Sequence, residues 1–295
     1  MSAEGGPVSR APLYLDWNAT TPVLPEAAAE MLDTLRHAWA NPSSTHGPGQ
    51  AARRVLADAR ARVAAFLGAL PAEVVFTSGA TEANHMAVLG ALAEGRRRGR
   101  TRLVMSSVEH PGLMALATRL RAEGTPVDLI PVDGQGQLDL GAARTLIGDD
   151  VALVSVMGAN NETGVLMPVA ETSLIAHAHG APLHVDATQL VGKSPLSFAA
   201  CGADLMSVSA HKIGGPKGIG ALLVRRGFTL QPLLAGRQER QRRGGTENLP
   251  AIAGFAAACQ RTAATLPADL AEMLRRRQRL EQGLCRALPG TMLLG

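Results

Sequence analysis

Short apolar runs alternate with segments of helical periodicity through most of this chain. Seven runs have the length and the bounding polar residues of strands, at 74–77, 103–105, 127–132, 151–156, 183–185, 205–208 and 221–224. Helical spacing of apolar residues is clearest at 81–93, 113–120 and 170–179, the last ended by Gly180. This alternation predicts an α/β fold with a mostly parallel sheet and helices on both faces.

The pattern changes after Gly254. Residues 255–288 are helical in pattern and rich in arginine, with Pro267 as an expected break, and residues 291–295 are apolar and strand-like. The predicted division is a loose N-terminal tail at 1–12, a large domain at 13–260, and a linking helix at 261–295 that leads into a smaller domain cut off at its first strand.

Composition excludes several classes of protein. Aromatic residues are only 3% of the chain and hydrophobic residues 46%, so the core must be aliphatic. The net charge is +4, but the arginine runs at 96–98 and 275–277 are short and lack interleaved aromatic residues, so no nucleic-acid partner is expected. No apolar run approaches a membrane span, and the first dozen residues do not resemble a signal peptide.

The three cysteines are widely separated. Cys201, Cys259 and Cys285 have no metal-ligand spacing, so no metal site is predicted. An odd number of cysteines in a chain of this size is typical of reduced thiols, which predicts a cytoplasmic protein.

Lysine is scarce and its positions are informative. The chain has Lys193, Lys212 and Lys217 within a total of 29 lysines and arginines. A Schiff base to an aldehyde cofactor needs a primary amine that can lose its proton, which arginine cannot supply. Lys212 stands in a glycine-rich turn directly after the strand at 205–208, whereas the other two lysines lack that position. Lys212 is therefore the predicted anchor of pyridoxal phosphate.

Polar clusters follow four of the predicted strands, where parallel sheets bind ligands. Residues 77–82 (Thr-Ser-Gly-Ala-Thr-Glu) would open a helix whose free amides attract an anion, although Thr81 could equally be an N-cap. His110 could stack on a planar ring or be a structural histidine. Asp186 could pair with a protonated pyridine nitrogen or cap a helix or loop. Lys212 completes the set.

The ordered set of motifs is similar to the class V aminotransferase type of pyridoxal phosphate enzyme, and specifically resembles the cysteine desulfurases of the NifS and IscS kind. The motifs that carry the resemblance stand at 13–16, 18–22, 41–44, 77–82, 160–164, 184–189, 209–220 and 243–248. The resemblance implies the type I pyridoxal phosphate fold, whose large domain has a mixed seven-stranded sheet. In that sheet the strand at 221–224 would run antiparallel.

The resemblance also implies roles for individual residues. Lys212 would form the Schiff base, Asp186 would pair with the ring nitrogen, and His110 would stack on the ring and transfer protons. The ring oxygen would be contacted by Asn161 and Gln189, and the phosphate would be held by Ala80, Thr81, Ser209 and His211. Thr246 would reach the phosphate of a neighbouring subunit, which implies a homodimer.

The reaction implied is the conversion of L-cysteine to L-alanine, with the sulfur passed through an enzyme persulfide to an iron–sulfur scaffold or another sulfur-acceptor protein. The family's sulfur-accepting cysteine and its carboxylate-binding arginine would both lie beyond residue 295. The three cysteines present stand in other sequence contexts. The 295-residue chain is therefore expected to be inactive in sulfur transfer.

Three other functions stay open from the sequence. A selenocysteine lyase or another class V enzyme would use the same cofactor on a different substrate. A cofactor-binding partner subunit would not catalyse at all. An acyl enzyme using Ser209 and Lys212 in a Ser-x-x-Lys motif is the weakest alternative, because the companion motifs of such enzymes are absent. Absorbance of a bound cofactor would separate this last class from the others.

Overall fold

Seven strands and seven α-helices build the part of the chain that the computed structural model describes, residues 13–293. The tail predicted at 1–12 lies outside the described residues. The strands are β1 (Val74–Thr77), β2 (Arg102–Ser106), β3 (Val127–Ile130), β4 (Val151–Met157), β5 (Leu183–Asp186), β6 (Leu205–Ser209) and β7 (Gly220–Val224). The helices are α1 (Pro25–His37), α2 (Gly47–Phe66), α3 (Ala80–Arg97), α4 (Pro111–Ala122), α5 (Leu140–Leu146), α6 (Val169–Ala178) and α7 (Leu249–Ala287).

The strands form one sheet in the order β1-β7-β6-β5-β4-β2-β3. The five strands from β6 to β3 pair in parallel, and β7 is antiparallel to both of its neighbours. This confirms the mostly parallel seven-stranded sheet and the antiparallel strand expected at 221–224. Because the parallel strands all end at one edge, the polar residues that follow β4, β5 and β6 are brought to the same side of the molecule.

Alternate residues of each strand enter different cores, as the two-residue period of a strand requires. Val74 and Phe76 of β1 join one buried cluster with residues of α1, α2 and α7, whereas Val75 joins a second cluster with α3 and α4. The sheet is therefore covered on both faces. Val, Leu, Met and Ala dominate both clusters, in keeping with the scarcity of aromatic residues.

The C-terminal segment differs from its predicted structure. α7 runs unbroken through Pro267 for 39 residues, so the expected break there is wrong. Proline deprives the carbonyl four residues earlier of its intrahelical partner, but Ala263 is exposed and water can take that role. Residues 291–293 are not a strand, and residues 294–295 lie outside the described residues.

α7 changes its surroundings along its length. Its buried residues extend from Leu249 to Cys259, where the helix packs on α1 and α2, and almost all later residues are exposed or half-buried. The change coincides with the predicted end of the large domain at residue 260, although the division into domains stays a prediction. Among residues 13–293, no helix combines the length and apolar character needed to cross a membrane.

Candidate active site

A cavity of about 590 Å³ opens where β1, β4, β5 and β6 end and α3 begins. Nine of the ten residues predicted for the site line this cavity. They are Ala80, Thr81, His110, Asn161, Asp186, Gln189, Ser209, His211 and Lys212. The structure therefore brings together residues that lie far apart in the sequence. Their individual roles stay predictions.

The turn between β1 and α3 exposes backbone amides to the cavity. Gly79 is the N-cap of α3 with φ 155° and ψ 179°, a conformation open mainly to glycine. A side chain at Gly220 of β7 would also be excluded, because its Cβ would lie 2.8 Å from the Cα of Gly79. The first amides of a helix have no intrahelical acceptor, and the helix dipole adds positive potential there. Ser209 borders the same turn, so the arrangement suits an anion such as a phosphate.

Asp186 ends β5 as a carboxylate that is only 6% exposed. Asn84 Nδ2 donates a hydrogen bond of 2.7 Å to Asp186 Oδ2, and the Thr188 amide donates one of 3.0 Å to Oδ1. The two hydrogen bonds hold the carboxylate in place at the end of β5. Sequence reasoning missed Asn84, since nothing local connects it with a residue 102 positions away.

Two buried titratable groups lie close to Asp186, and burial disfavours the charged form of both. Burial, followed by the charge of Asp186, raises the pKa of Glu109 well above its ordinary value. Burial lowers the pKa of His184 to about 4, against the attraction of Asp186, and its ring lies between the hydroxyls of Ser155 and Ser207.

Lys212 stands at the end of a short 3₁₀ turn after β6, with its amine on main-chain oxygens. Its Nζ donates to the carbonyl oxygens of Asn18 and Ala19, the latter at 3.0 Å. Burial lowers the pKa of Lys212, although the carboxylates of Asp186 and Asp16 act in the opposite direction. An amine with a lowered pKa loses its proton more readily and is a better nucleophile.

Lys193 lies beside Lys212, a position that the sequence analysis did not predict. Its Nζ donates to Asn18 Oδ1 at 2.7 Å and to Gln189 Oε1 at 2.6 Å. Burial, followed by the charge of Lys212, lowers the pKa of Lys193 to about 8. One sequence signal could have found it, since Lys193 stands four residues after Gln189 in a segment of consecutive turns.

His110 has a structural contact and also faces the cavity, and its stacking on a ring stays a prediction. It is the N-cap of α4, where its Nδ1 accepts a hydrogen bond of 3.1 Å from the Gly112 amide. The ring also lines the cavity. Acceptance at Nδ1 leaves Nε2 as the nitrogen that can exchange a proton with a ligand.

Thr246 is the predicted site residue that does not line the cavity, and it is exposed. An exposed position away from the cavity of its own chain is compatible with a role toward a second copy. The loop that carries it is tied to the cavity by Arg243, whose Nε donates to Glu82 Oε1 at 2.8 Å. Glu82 also accepts from the amide of Ser78 at 2.6 Å.

The chemistry of the cavity wall fits pyridoxal phosphate. Asp186 is suited to a protonated ring nitrogen, the Lys212 amine to the aldehyde, and the turn at Gly79 to the phosphate. Two buried atoms of the wall, Asn84 Oδ1 and Thr188 Oγ1, have no hydrogen-bond partner among the described residues. Buried polar atoms normally have partners, so these two fit a wall built around a polar ligand.

The three cysteines, all within the described residues, lie away from the cavity. Cys259 is buried in α7, and burial raises the pKa of its thiol. Cys201 is half-buried, with a pKa that burial also raises. Cys285 is exposed on the outer part of α7. A buried thiol with a raised pKa is a poor nucleophile.

Comparisons with known proteins agree with this geometry. The model of the family Aminotransferase class-V matches residues 13–291. A cysteine desulfurase of Cereibacter sphaeroides is 46% identical over 286 residues, which cover 96% of this chain and 73% of the relative. A solved NifS-like protein is 36% identical with a TM-score of 0.88, covering 92% of this chain and 75% of the other.

A second solved structure, described as SspA in complex with cysteine, is 34% identical with a TM-score of 0.80 and covers 84% of this chain and 72% of the other. The family match spans nearly all of the described residues, and the identity to the relative is high over the same region. The chain therefore belongs to the class V aminotransferase family and, within it, to the cysteine desulfurases.

Proposed function

We propose that this protein is a pyridoxal phosphate-dependent cysteine desulfurase that removes sulfur from L-cysteine and leaves L-alanine. The observation that carries the proposal is the meeting of Lys212 and Asp186 in one cavity beside the turn at Gly79. The family uses pyridoxal phosphate, and the similar SspA structure was solved in complex with cysteine. These facts support L-cysteine as the substrate.

Bound pyridoxal phosphate supplies an aldehyde carbon and an electron-withdrawing ring. Lys212 Nζ then takes the proton from the α-carbon of the substrate and later returns it, which its lowered pKa favours. Asp186 keeps a positive charge on the ring nitrogen, and Asn84 holds the carboxylate in place. His110 packs on the ring and exchanges a proton at Nε2.

The remaining assignments concern binding. Asn161 and Gln189 contact the ring oxygen. The phosphate is held by Ala80, Thr81, Ser209 and His211, which all line the cavity. Burial, followed by the charges of Lys212 and Lys217, lowers the pKa of His211, so this ring is neutral at pH 7 and acts there as a hydrogen-bonding group.

The sulfur acceptor within the enzyme is proposed to come from the part of the family's sequence that this chain does not align with. Roughly a quarter of the Cereibacter relative's length lies outside the match. The positions of Cys201, Cys259 and Cys285 support this, because all three lie away from the cavity. The arginine that binds the substrate carboxylate would come from the same part. We therefore expect no sulfur transfer by the 295-residue chain alone.

The assembly and setting of the enzyme are also proposals. A homodimer would bring Thr246 to the phosphate of the partner, which its exposure and distance from its own cavity support. The persulfide would pass its sulfur to an iron–sulfur scaffold or another acceptor protein in the cytoplasm. The division into a large domain at 13–260 and a linking helix with a smaller domain from 261 onward belongs to the same proposal.

The function can be tested with the chain and one chimera. The purified chain should bind pyridoxal phosphate, as shown by a visible absorption band that L-cysteine alters, but should release almost no sulfide. In the presence of a thiol reductant, which reduces the persulfide sulfur to sulfide, a chimera that adds the unaligned part of the Cereibacter relative should produce sulfide and alanine in equal amounts. Replacing the three cysteines of this chain by serine should not reduce that turnover. A chimera that binds cofactor and L-cysteine but makes no alanine would reject the proposal.

A further inference from the structure

Two lysines of this protein share one hydrogen-bond network in the candidate site. Lys193 donates to Gln189 Oε1 and to Asn18 Oδ1. Gln189 Nε2 donates to the main-chain oxygen of Asn18 at 3.0 Å, and Lys212 donates to that same oxygen. Asn18 therefore connects the amine of Lys193 with the amine of Lys212, 19 positions further along the chain.

The contacts fix the orientation of the Gln189 amide from both sides. An ammonium group only donates and a carbonyl oxygen only accepts. With Oε1 against Lys193 and Nε2 against the Asn18 carbonyl, both contacts are favourable. The flipped amide would place two donors together at Lys193 and two acceptors together at Asn18, so both contacts would become repulsive.

The backbone holds Lys193 in reach of this network. Gly192 has φ 71°, a left-handed conformation that strains residues with side chains. A Cβ at this position would lie 2.5 Å from Cγ2 of Ile213, the residue after Lys212. Close packing of the two turns therefore depends on glycine directly before Lys193.

We infer that Lys193 is a positioning residue. It fixes the Gln189 amide so that Nε2 of Gln189 is available to the cofactor, and it holds Asn18 against Lys212. Only one of the two N–H bonds of Gln189 Nε2 is used within the described residues, and Gln189 lines the cavity. The second N–H is therefore presented to an oxygen of the ligand. In the flipped orientation, the amide oxygen would face the ligand instead. This inference rests on the proposed pyridoxal phosphate site.

The first test measures the affinity of the apoprotein for pyridoxal phosphate and the pH midpoint of the bound cofactor's absorption change. Lys193→Met should weaken cofactor binding about tenfold. This is the cost of losing the hydrogen bond from Gln189 Nε2 to the ring oxygen of the cofactor. The midpoint should move upward, since the Gln189 amide is no longer held with its donor toward the ring oxygen. Asp186, Asp16, His211 and Lys217 also face this region and remain unchanged.

A double-mutant cycle separates positioning from the charge alone. If Lys193 acts through the amide, Lys193→Met should add little to the midpoint shift already caused by Gln189→Met. An equal shift with and without Gln189 would overturn the inference, because it would show that the charge acts directly. Lys193→Gln provides a second variant, since an amide accepts as well as donates and cannot lock Gln189.

The controls distinguish failure of this inference from failure of the proposed function. Arg96→Met removes a charge and a hydrogen bond to Thr125 at the far end of α3, and should leave affinity and midpoint unchanged. Thermal unfolding of the apoprotein checks that the Lys193 variants are folded. If the unmodified protein does not bind the cofactor, the proposed function fails. If it binds, and folded Lys193→Met and Lys193→Gln behave like it, the inference fails.

Discussion

Arg60 donates to both carboxylate oxygens of Glu239, at 2.7 and 2.6 Å, across 179 positions of sequence. The pair is buried, and Glu239 also accepts from the Phe76 amide of β1 at 2.9 Å. Glu239 begins a run of three residues with positive φ, Glu239 to Gln241, which is unfavourable for side chains of this kind. The ion pair thus anchors a strained turn in the loop that carries Arg243 and Thr246.

Removal of this anchor should be costly. Glu239→Ala leaves the Arg60 charge buried without its partner and should lower the free energy of unfolding by about 3–5 kcal/mol in denaturant titrations. The matched control is Glu272→Ala, which removes a carboxylate from an exposed pair of arginines on α7 and should change stability little. Similar stability of the two variants would show that Glu239 does not anchor the turn.

The contact between Glu82 and Arg243 should give a pH-dependent contribution to stability. Burial alone would raise the pKa of Glu82, but the hydrogen bonds from Arg243 and Ser78 outweigh it and lower the pKa below its ordinary value of 4.5. A carboxylate whose pKa is lowered by folding stabilises the native state above its unfolded pKa and loses that contribution as pH falls through the folded one.

Glu82→Gln should therefore cost about 1–2 kcal/mol of unfolding free energy at neutral pH, at the lower end for a hydrogen bond to a charged group because solvent screens this partly exposed pair. The difference from the unmodified protein should shrink as pH falls below 4.5. Chemical denaturation at a series of pH values measures it, with the exposed Glu123→Gln as the control. A difference that persists unchanged in acid would contradict the assignment.

Borohydride reduction of the protein loaded with pyridoxal phosphate should place the pyridoxyl group on Lys212. Peptide mapping by mass spectrometry identifies the modified residue. Lys193 should stay unmodified, because Lys212 lines the cavity and Lys193 does not. Lys212→Ala should abolish the visible absorption band. A label on Lys193 or Lys217 would mean that the anchor has been assigned to the wrong lysine.

Asp186→Asn should preserve the fold but slow removal of the α-proton. Without the carboxylate the ring nitrogen loses its positive charge, and the loss of a preorganised electrostatic partner costs about 100-fold or more in rate. Exchange of the α-proton of L-alanine with solvent deuterium, followed by NMR, measures this step without sulfur transfer. Asp128→Asn, in a partly exposed pair with Arg102, is the control. An unchanged exchange rate in Asp186→Asn would disprove the role.

The parts of the fold that were predicted from the sequence are those with strong local patterns. Each strand is a short apolar run, and Asp186 and Lys212 directly follow such runs. α1 and α2 were not predicted, because their buried positions are largely small or polar, such as Thr34 and Gly49, and give little apolar periodicity. The course of α7 through Pro267 depends on the exposure of Ala263 to water, which the sequence does not reveal.

The parts of the site that escaped prediction depend on contacts between distant segments. Asn84 on α3 donates a hydrogen bond to Asp186, and Lys193 donates one to Asn18, 175 positions away in the sequence. Neither residue belongs to a motif that implies its contact. Nine of the ten predicted residues lie around one cavity because the strand ends of a parallel sheet converge, and their roles stay predictions.

The position of β7 between β1 and β6 has a consequence for synthesis of the protein. β1 is an edge strand that finds its partner in the sheet only when Gly220–Val224 has been made, about 150 residues later. β7 lies between β1, which leads into the turn at Gly79, and β6, which leads into the turn at Lys212. Pairing of this one antiparallel strand with both neighbours fixes β1 beside β6, so the spacing of the two turns depends on a pairing that forms late in synthesis.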